Sequence, residues 1–214
     1  RDFVRTLPSY VRDTKHFLQC ISGIDWNPNF TLMTLDVKSL YTIIDHTQGI
    51  EACRHFLRNR NICYFEHTRM LLDMIDFCLK NNIFSFNGIF YLQRRGTAMG
   101  TCFAPSLANL FMGWWENQLP FADSIAEEWD KVVIWLRYID DLFVVWNGTV
   151  ESARLFVEKL QLNDLNLVFD SNISKDKVVF LDVEIEVSNG QLHSKLFCKA
   201  TAGNSLLHAL SSHP

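Results

Sequence analysis

The sequence lacks the features that mark a secreted or membrane protein. Its uninterrupted apolar runs, such as Leu142 to Trp146, are far shorter than the roughly 20 residues of a spanning helix. Charged residues interrupt the apolar stretches near the first residue, so no signal peptide is indicated. The six cysteines include no C-x-x-C pair, which argues against a zinc ribbon or a disulfide scaffold and favours a reducing, intracellular compartment.

Several catalytic motifs are missing as well. The seven histidines show no H-E-x-x-H spacing, and neither a phosphate-binding glycine loop nor a serine nucleophile elbow occurs. No internal repeat or low-complexity tract is present. With 48% apolar and 21% charged residues among 214, the composition is that of a folded chain of one domain, or of one domain plus part of a second.

The net charge of −4 gives no support to nucleic-acid binding through an overall positive field. The charge is unevenly spread, because residues 121–190 carry 14 acidic and only 6 basic groups. A solvated surface is the ordinary explanation of such a block. Carboxylates that hold cations are the alternative explanation.

Periodicity predicts an α+β chain. The predicted strands cover 31–37, 83–86, 89–92, 132–138, 142–146, 166–170, 178–187 and 191–197, with hairpin turns at Asn87-Gly88 and Asn189-Gly190. The predicted helices cover 47–60, 66–80, 105–116 and 149–161, the last of them capped by Thr149. The second helix has an apolar stripe that is interpreted as core, made of Met70, Leu71, Met74, Ile75, Cys78 and Leu79. Two strand–helix arms, with 178–187 as the last strand, describe a ferredoxin-like split βαβ arrangement around an antiparallel sheet.

Three aspartates stand at the ends of apolar strands. Asp36 lies near the end of the first strand, and Asp140 and Asp141 form the tip of the hairpin 132–146. Exposure at a turn explains such an acid pair in ordinary terms. A divalent cation also explains it, because Mg²⁺ takes oxygen ligands and retains water and substrate phosphates. If Asp36 lies beside the hairpin, the three acids converge as in sites that hold two metals about 3.5–4 Å apart for phosphoryl transfer.

The order of the motifs carries a resemblance. The segments LDVKSLYT at 35–42, GTAMGTCFAPSLANLF at 96–111 and RYIDDLFVVW at 137–146 resemble motifs A, B and C of reverse transcriptases. Three more segments are similar to the reverse transcriptases of Penelope-like retroelements: SYVRDTKHFL at 9–18, FLDVEI at 180–185 and KATAGNSLLHALSSHP at 199–214. The resemblance covers nearly the whole chain and implies an RNA-directed DNA polymerase, of which the chain carries the palm and part of the fingers.

The resemblance also implies an organisation within a single domain. The implied parts are a fingers/palm entry at 1–30, the palm at 31–61 and 96–187, a fingers-side excursion at 62–95, and the primer-grip hairpin with the start of the thumb at 188–214. We expect a fragment of a longer protein that carries basic fingers motifs upstream and a thumb and GIY-YIG endonuclease downstream. The implied partners are an RNA template, a DNA primer and deoxynucleotides, and integration into chromosomal DNA implies a nuclear location.

Site residues follow from the same resemblance. The implied ligands of two Mg²⁺ ions, for which Mn²⁺ can substitute, are Asp36, Asp140, Asp141 and the carbonyl of Val37. The implied substrate-binding residues are Lys38, Ser39, Leu40, Tyr41, Met99 and Gly100. Backbone N–H groups of 38–41 would bind the triphosphate, and the Tyr41 ring would exclude a 2′-OH. Either Lys175 or Lys177, of which we choose Lys177, matches the lysine proposed as general acid for the leaving pyrophosphate.

Two other interpretations remain open. Residues 43–46 read Ile-Ile-Asp-His where the family usually has Asn-Ile-Pro-His, which suggests a diverged copy. A catalytically inactive or domesticated retroelement remnant would act, if at all, as an RNA- or protein-binding module, and loss of a catalytic aspartate, which is not seen, would indicate it. Another two-metal phosphotransferase, such as a nucleotide cyclase, is the third interpretation, and the segment at 96–111 argues against it.

Overall fold

A computed structural model describes residues 3–58 and 65–198. Its helices are α1 (Thr14–Ile21), α2 (Leu40–Ile43), α3 (His46–Arg58), α4 (Phe65–Lys80), α5 (Ala104–Glu116), α6 (Ala126–Trp129) and α7 (Val150–Gln161). Its strands are β1 (Phe30–Val37), β2 (Ile83–Phe86), β3 (Ile89–Leu92), β4 (Val132–Tyr138), β5 (Asp141–Asn147), β6 (Phe169–Ser174), β7 (Lys177–Phe180), β8 (Val183–Ser188) and β9 (Gln191–Leu196). The motif predicted at 199–214 lies outside the described residues.

The central sheet is antiparallel and has the strand order β4-β5-β1-β6. This order is that of a ferredoxin-like split βαβ fold, so the predicted α+β fold class is confirmed. The prediction of 178–187 as the last strand of this sheet is wrong, because β6 pairs with β1 instead. The strand predicted at 166–170 lies at Phe169–Ser174 instead, because its exposed Asp170, Ser171 and Asn172 show no apolar alternation that would mark its extent.

Both faces of the central sheet are covered. Alternate residues of a strand point to opposite faces, so Met33 and Leu35 pack against α5 and α7 while Leu32 packs against α1, β7 and β8. Trp115 and Trp146 are buried in the first of these two clusters. The predicted N-cap of α7 is also confirmed, because Thr149 Oγ1 accepts a hydrogen bond from the Ser152 N–H at 3.2 Å.

Strands β7, β8 and β9 form a separate antiparallel sheet. The prediction of one strand over 178–187 is wrong here too, because the chain turns at Leu181 and Asp182. Leu181 has a φ of +52°, a conformation that ends an extended strand. The turn predicted at Asn189 and Gly190 is confirmed, and both residues have positive φ.

The region 65–92 differs most from expectation. The hairpin of β2 and β3 forms around Asn87 and Gly88 as predicted, and both turn residues have positive φ. The interpretation of the α4 stripe as core is wrong for most of its residues. Leu79 is buried and Ile75 packs beside it against α3 and α5, but Met70 and Met74 are each 56% exposed, and Leu71 and Cys78 are exposed as well. Periodicity identifies the apolar face of a helix but does not supply an element to cover all of it.

Two further observations concern the chain as a whole. The five cysteines within the described ranges are free thiols, and Cys63 lies outside those ranges. None of the described helices is both long and apolar enough to cross a membrane.

Candidate active site

Acidic residues from three neighbouring strands align at one end of the central sheet. Asp36 of β1 lies directly opposite Asp141 of β5 on one side and Asp170 of β6 on the other. Directly opposed residues of antiparallel strands project from the same face of a sheet. We call Asp141, Asp36 and Asp170 the aspartate row. The row opens into a groove between the central sheet and β7, which Val179 and Phe180 also line.

Asp170 is the member that sequence reasoning missed as a site residue. The residue was predicted at the end of a strand, but the pairing of that strand with β1 was not. No local pattern reports which residue stands opposite another on a distant segment, because register is set by the tertiary contacts of both strands.

Asp140 occupies the turn that joins β4 to β5. Tyr138 and Asp141 form the last pair of the hairpin, so Ile139 and Asp140 are a two-residue turn. The Asp140 carbonyl accepts a hydrogen bond from the Val37 N–H at 3.1 Å, which fastens the turn to the end of β1. The structure therefore brings Asp36, Asp140 and Asp141 to the same end of the central sheet, where β1 and the β4–β5 hairpin terminate.

The electrostatics of Asp140 agree with this placement. Burial raises the pKa of the Asp140 carboxyl above its ordinary value, and the negative charge of Asp36 raises that pKa further. A carboxylate that is both half-buried and repelled by a second carboxylate is stabilised by a bound cation.

The donor set fits Mg²⁺ by its chemistry. Among the described residues, no three His, Cys, Asp or Glu side chains are placed closely enough to form a complete metal cage. Mg²⁺ does not need such a cage, because it is usually held by one or two carboxylates together with water and substrate phosphates. Asp36 and Asp140 bring two carboxylates to this end of the sheet, and their role as ligands stays a prediction. The contribution of the Val37 carbonyl stays a prediction.

Tyr41 lies in α2, five residues after Asp36 in the chain. Helix α2 begins directly after Ser39, which has a left-handed φ of +54° and reverses the chain after β1. Burial raises the pKa of the Tyr41 phenol, and the charges of Asp140 and Tyr138 raise that pKa further. The phenol is thus half-buried and lies in the electrostatic field of the turn that carries Asp140.

The segment 95–97 holds α2 in place through backbone contacts. The Thr97 N–H donates to the Tyr41 carbonyl at 2.7 Å, and the Gly96 N–H donates to the Ile44 carbonyl at 2.8 Å. The Gly96 carbonyl lies 2.9 Å from His46 Nε2, so this histidine is a satisfied structural residue. A Cβ at Gly96 would lie 2.4 Å from the Tyr41 carbonyl oxygen, so only glycine fits this crossing.

Met99 and Gly100 lie on the exposed part of the same loop. Met99 is 71% exposed, and a Cβ added at Gly100 would meet nothing within 4 Å. Among the described residues, therefore, none lies close enough to Gly100 to require glycine at this position. The predicted close approach of a template base and nucleotide there stays a prediction.

The side chain and the amide of Lys38 both have partners. The ammonium lies 2.8 Å from the Asp170 carboxylate, and the backbone N–H donates to the Val168 carbonyl at 2.9 Å. Because the Lys38 N–H already donates to the Val168 carbonyl, only the N–H groups of Ser39, Leu40 and Tyr41 remain of those predicted to bind the triphosphate.

The structure does not bring either candidate lysine to the aspartates. Lys175 Nζ donates to the carbonyls of Asn29 and Phe30 at 2.9 Å, at the opposite end of β1 from Asp36. Lys177 Nζ lies 3.4 Å from Glu184 Oε1 across the β7–β8 pair. Lys175 therefore caps strand ends, and nothing in the geometry supports Lys177 as a general acid.

Comparisons with known proteins place the fold. No family model matches the sequence, and no curated protein matches it. Apo telomerase from Candida tropicalis, truncated from its C-terminal domain, has a TM-score of 0.64 and 12% identity over 90% of this chain and 43% of its own. Telomerase from Candida albicans, in complex with a TWJ fragment of telomeric RNA, has a TM-score of 0.68 and 11% identity over 90% of this chain and 36% of its own.

A viral enzyme shares the architecture. The RNA-dependent RNA polymerase of a human picobirnavirus has a TM-score of 0.57 and 11% identity over 81% of this chain and 32% of its own. The present chain thus spans about two fifths of the length of the telomerase chains. At these identities the likeness shows a fold, and that fold is the palm-like fold of nucleic-acid polymerases.

Proposed function

We propose that the protein is an RNA-directed DNA polymerase of a Penelope-like retroelement. The observation that carries the proposal is the convergence of Asp36, Asp140 and Asp141 at one edge of a polymerase palm-like sheet. Folds of this kind host many activities, so the carboxylates rather than the fold support the chemistry.

The proposed reaction is transfer of a nucleotidyl group from a deoxynucleoside triphosphate to a primer 3′-OH. The 3′-oxygen forms a bond to the α-phosphorus, and the bond from that phosphorus to the bridging oxygen breaks to release pyrophosphate. Asp36 and Asp140 would hold two Mg²⁺ ions, or Mn²⁺ in their place, and Asp141 would support them. Bound there, such ions would supply a lowered pKa of the 3′-OH, whose proton passes to water as the new bond forms, and would neutralise charge on the leaving pyrophosphate.

The residues around α2 would select and hold the nucleotide. The Tyr41 ring, in α2 five residues after Asp36, would meet a ribose 2′-OH and so favour deoxynucleotides. The N–H groups of Ser39 to Tyr41 would face the triphosphate, and Met99 and Gly100 would border the template base. The role of Lys177 as general acid stays a prediction, and its ammonium lies 3.4 Å from Glu184 in this structure.

The proposed partners are an RNA template and a DNA primer. A structural neighbour that is complexed with telomeric RNA, and another that is an RNA-dependent RNA polymerase, support an RNA template. The net charge of −4 means that template and primer affinity must come from local basic groups and from additional domains, among them a thumb and a GIY-YIG endonuclease. A nuclear location would follow from use of chromosomal DNA.

Primer extension tests the proposal. A DNA primer annealed to an RNA template is incubated with Mg²⁺ and either deoxynucleotides or ribonucleotides, and GTP alone is a further arm. We expect extension with deoxynucleotides and none with Asp140→Asn, which changes one charge without changing shape. Asp164→Asn is the matched control, because Asp164 is an exposed residue outside the row.

Each other outcome has a definite meaning. Wild-type activity in folded Asp140→Asn would refute the assignment of Asp140. A folded but inactive wild-type protein that still binds RNA would favour the remnant interpretation. Extension with ribonucleotides only would favour an RNA polymerase, and a cyclic product from GTP without template would favour a cyclase.

A further inference from the structure

A buried ion pair lies behind the turn that carries Asp140. The Arg137 side chain is fully buried in β4, and its partner Glu116 at the end of α5 is 9% exposed. Arg137 Nε lies 2.7 Å from Glu116 Oε1, and Nη2 lies 3.0 Å from Glu116 Oε2, so the pair is bidentate.

All five N–H donors of Arg137 have acceptors. Besides the two bonds to Glu116, Nη1 donates to Asn109 Oδ1 and to the Ile139 carbonyl, both at 3.0 Å, and Nη2 donates to the Asn109 carbonyl at 3.2 Å. Glu116 in turn accepts from Trp135 Nε1 at 2.8 Å and from Ser9 Oγ at 2.6 Å. Such complete satisfaction lets a full charge be buried without an unpaired group.

The network joins three separate pieces of chain. The Arg137 N–H donates to the Ser9 carbonyl at 2.6 Å, and the Arg137 carbonyl accepts from the Val11 N–H at 2.8 Å. The guanidinium then links this segment and β4 to α5 through Asn109 and Glu116. Arg137, through its backbone and its side chain together, therefore connects the N-terminal segment, the motif at 96–111 and the hairpin.

The bond from Arg137 to Ile139 reaches the turn itself. Ile139 has a φ of +58°, which is unfavourable for a β-branched residue and persists only where its surroundings hold it. Arg137 Nη1 holds the Ile139 carbonyl, and the Val37 N–H holds the next carbonyl, that of Asp140. Both peptide units of the turn are thus anchored, one from inside the core and one from β1.

Stability alone is a weak explanation of this network. Replacing a buried ion pair by apolar residues is often neutral or stabilising, so burial of the pair does not by itself stabilise a fold. The contact with a strained turn gives the pair a second effect, because displacement of the guanidinium displaces Ile139 and then Asp140.

We propose that Arg137, oriented by Glu116, is a positioning residue that sets the place of Asp140 relative to Asp36 by holding the Ile139–Asp140 turn. This inference rests on the proposed function only for its catalytic consequence. Its structural content, that the guanidinium fixes the turn, is independent of any activity.

Hydrogen exchange tests the structural content directly. The Val37 N–H is bonded to the Asp140 carbonyl in the turn, whereas the neighbouring Lys38 N–H is bonded to Val168. Global destabilisation speeds exchange of both amides, but a loosened turn speeds that of Val37 alone. In Arg137→Lys we expect the Val37 amide to exchange at least about tenfold faster relative to that of Lys38. Equal acceleration of the two amides would overturn the proposal.

Further variants distinguish a displaced turn from a misfolded protein and allow the effect on catalysis to be measured. Glu116→Gln keeps the shape of the acceptor and is the milder change, while the double variant Arg137→Met with Glu116→Leu removes the pair without leaving a charge unpaired. Lys159→Met is the matched control, because it removes the ion pair of Lys159 with Glu128 between α7 and α6. Circular dichroism and urea unfolding establish that each variant is folded.

The catalytic consequence is a selective loss of kcat. A misplacement of about 1 Å can cost about 100-fold in rate, so we expect kcat to fall about 10- to 100-fold with an unchanged KM for the nucleotide. Arg137→Lys should lose less than the double variant, and Lys159→Met should lose nothing. Folded Arg137 and Glu116 variants with wild-type kcat and wild-type Val37 exchange would overturn the proposal. An inactive wild-type protein would instead refute the proposed function, and the exchange ratio would still decide the role of Arg137.

Discussion

Replacement of Gly96 by alanine is expected to destabilise the protein and to shift α2 with its tyrosine. Gly96 has a φ of +76°, and a Cβ there would lie 2.4 Å from the Tyr41 carbonyl oxygen and 2.6 Å from Thr42 Cα. Both atoms belong to the backbone. No side-chain rotation can relieve the overlap, so either the loop or α2 must move.

Two costs add at this position. An L-residue with left-handed backbone conformation costs about 1–2 kcal/mol, and overpacking costs about 1–3 kcal/mol, so we expect a loss of about 2–5 kcal/mol in the free energy of unfolding. Gly190 has nearly the same φ, +71°, but nothing within 4 Å, so Gly190→Ala should cost only the first of these terms. Gly23 has neither feature, and Gly23→Ala should change stability by less than about 0.5 kcal/mol.

Urea unfolding of the three variants measures these differences. The excess cost of Gly96→Ala over Gly190→Ala isolates the close approach of the two backbones. A Gly96→Ala variant no less stable than Gly190→Ala would refute the reasoning. Where Gly96→Ala remains folded, we also expect weaker discrimination against ribonucleotides, because the Thr97 N–H bond to the Tyr41 carbonyl is lost or displaced.

Three further results are expected. Tyr41→Ala should lower the preference for deoxynucleotides in primer extension by about 10- to 200-fold, the range for loss of one pocket contact, and unchanged selectivity would remove Tyr41 from the gate. Burial raises the pKa of the Cys53 thiol to about 11, so iodoacetamide should label exposed Cys78 first, and equal labelling of both would contradict the burial of Cys53. Leu79→Ala should cost about 2–5 kcal/mol in urea unfolding but exposed Phe77→Ala less than about 0.5 kcal/mol, and equal losses would show that the orientation of α4 is wrong.

Local patterns in the sequence located most of the elements that position the site. The strand before Asp36 and the hairpin around Asp140 and Asp141 follow from apolar runs interrupted by acids. Asn87-Gly88 specified its hairpin, because its two residues adopt the positive φ that a two-residue turn requires. These features depend on residues close together in the chain.

Features that depend on distant segments were missed. The α4 stripe has the period of a buried face, yet Met70 and Met74 are exposed because no described element covers them. The segment 178–187 is apolar enough to form a strand of the central sheet. The polar strand β6 occupies that position instead, because it follows α7 after a short connection and pairs with β1.

By itself the sequence determined the chemical inventory of the site: the three aspartates, the tyrosine after the first of them, and their order along the chain. Only the tertiary structure decided which groups meet. The tertiary structure placed Asp170 opposite Asp36 and brought Gly96 into close contact with the Tyr41 carbonyl. It also placed Arg137 where its side chain donates a hydrogen bond to the turn that carries Asp140. The physical reason is that periodicity and turn chemistry act over a few residues, whereas register, close packing and buried charge pairing are settled by contacts between segments far apart in the chain.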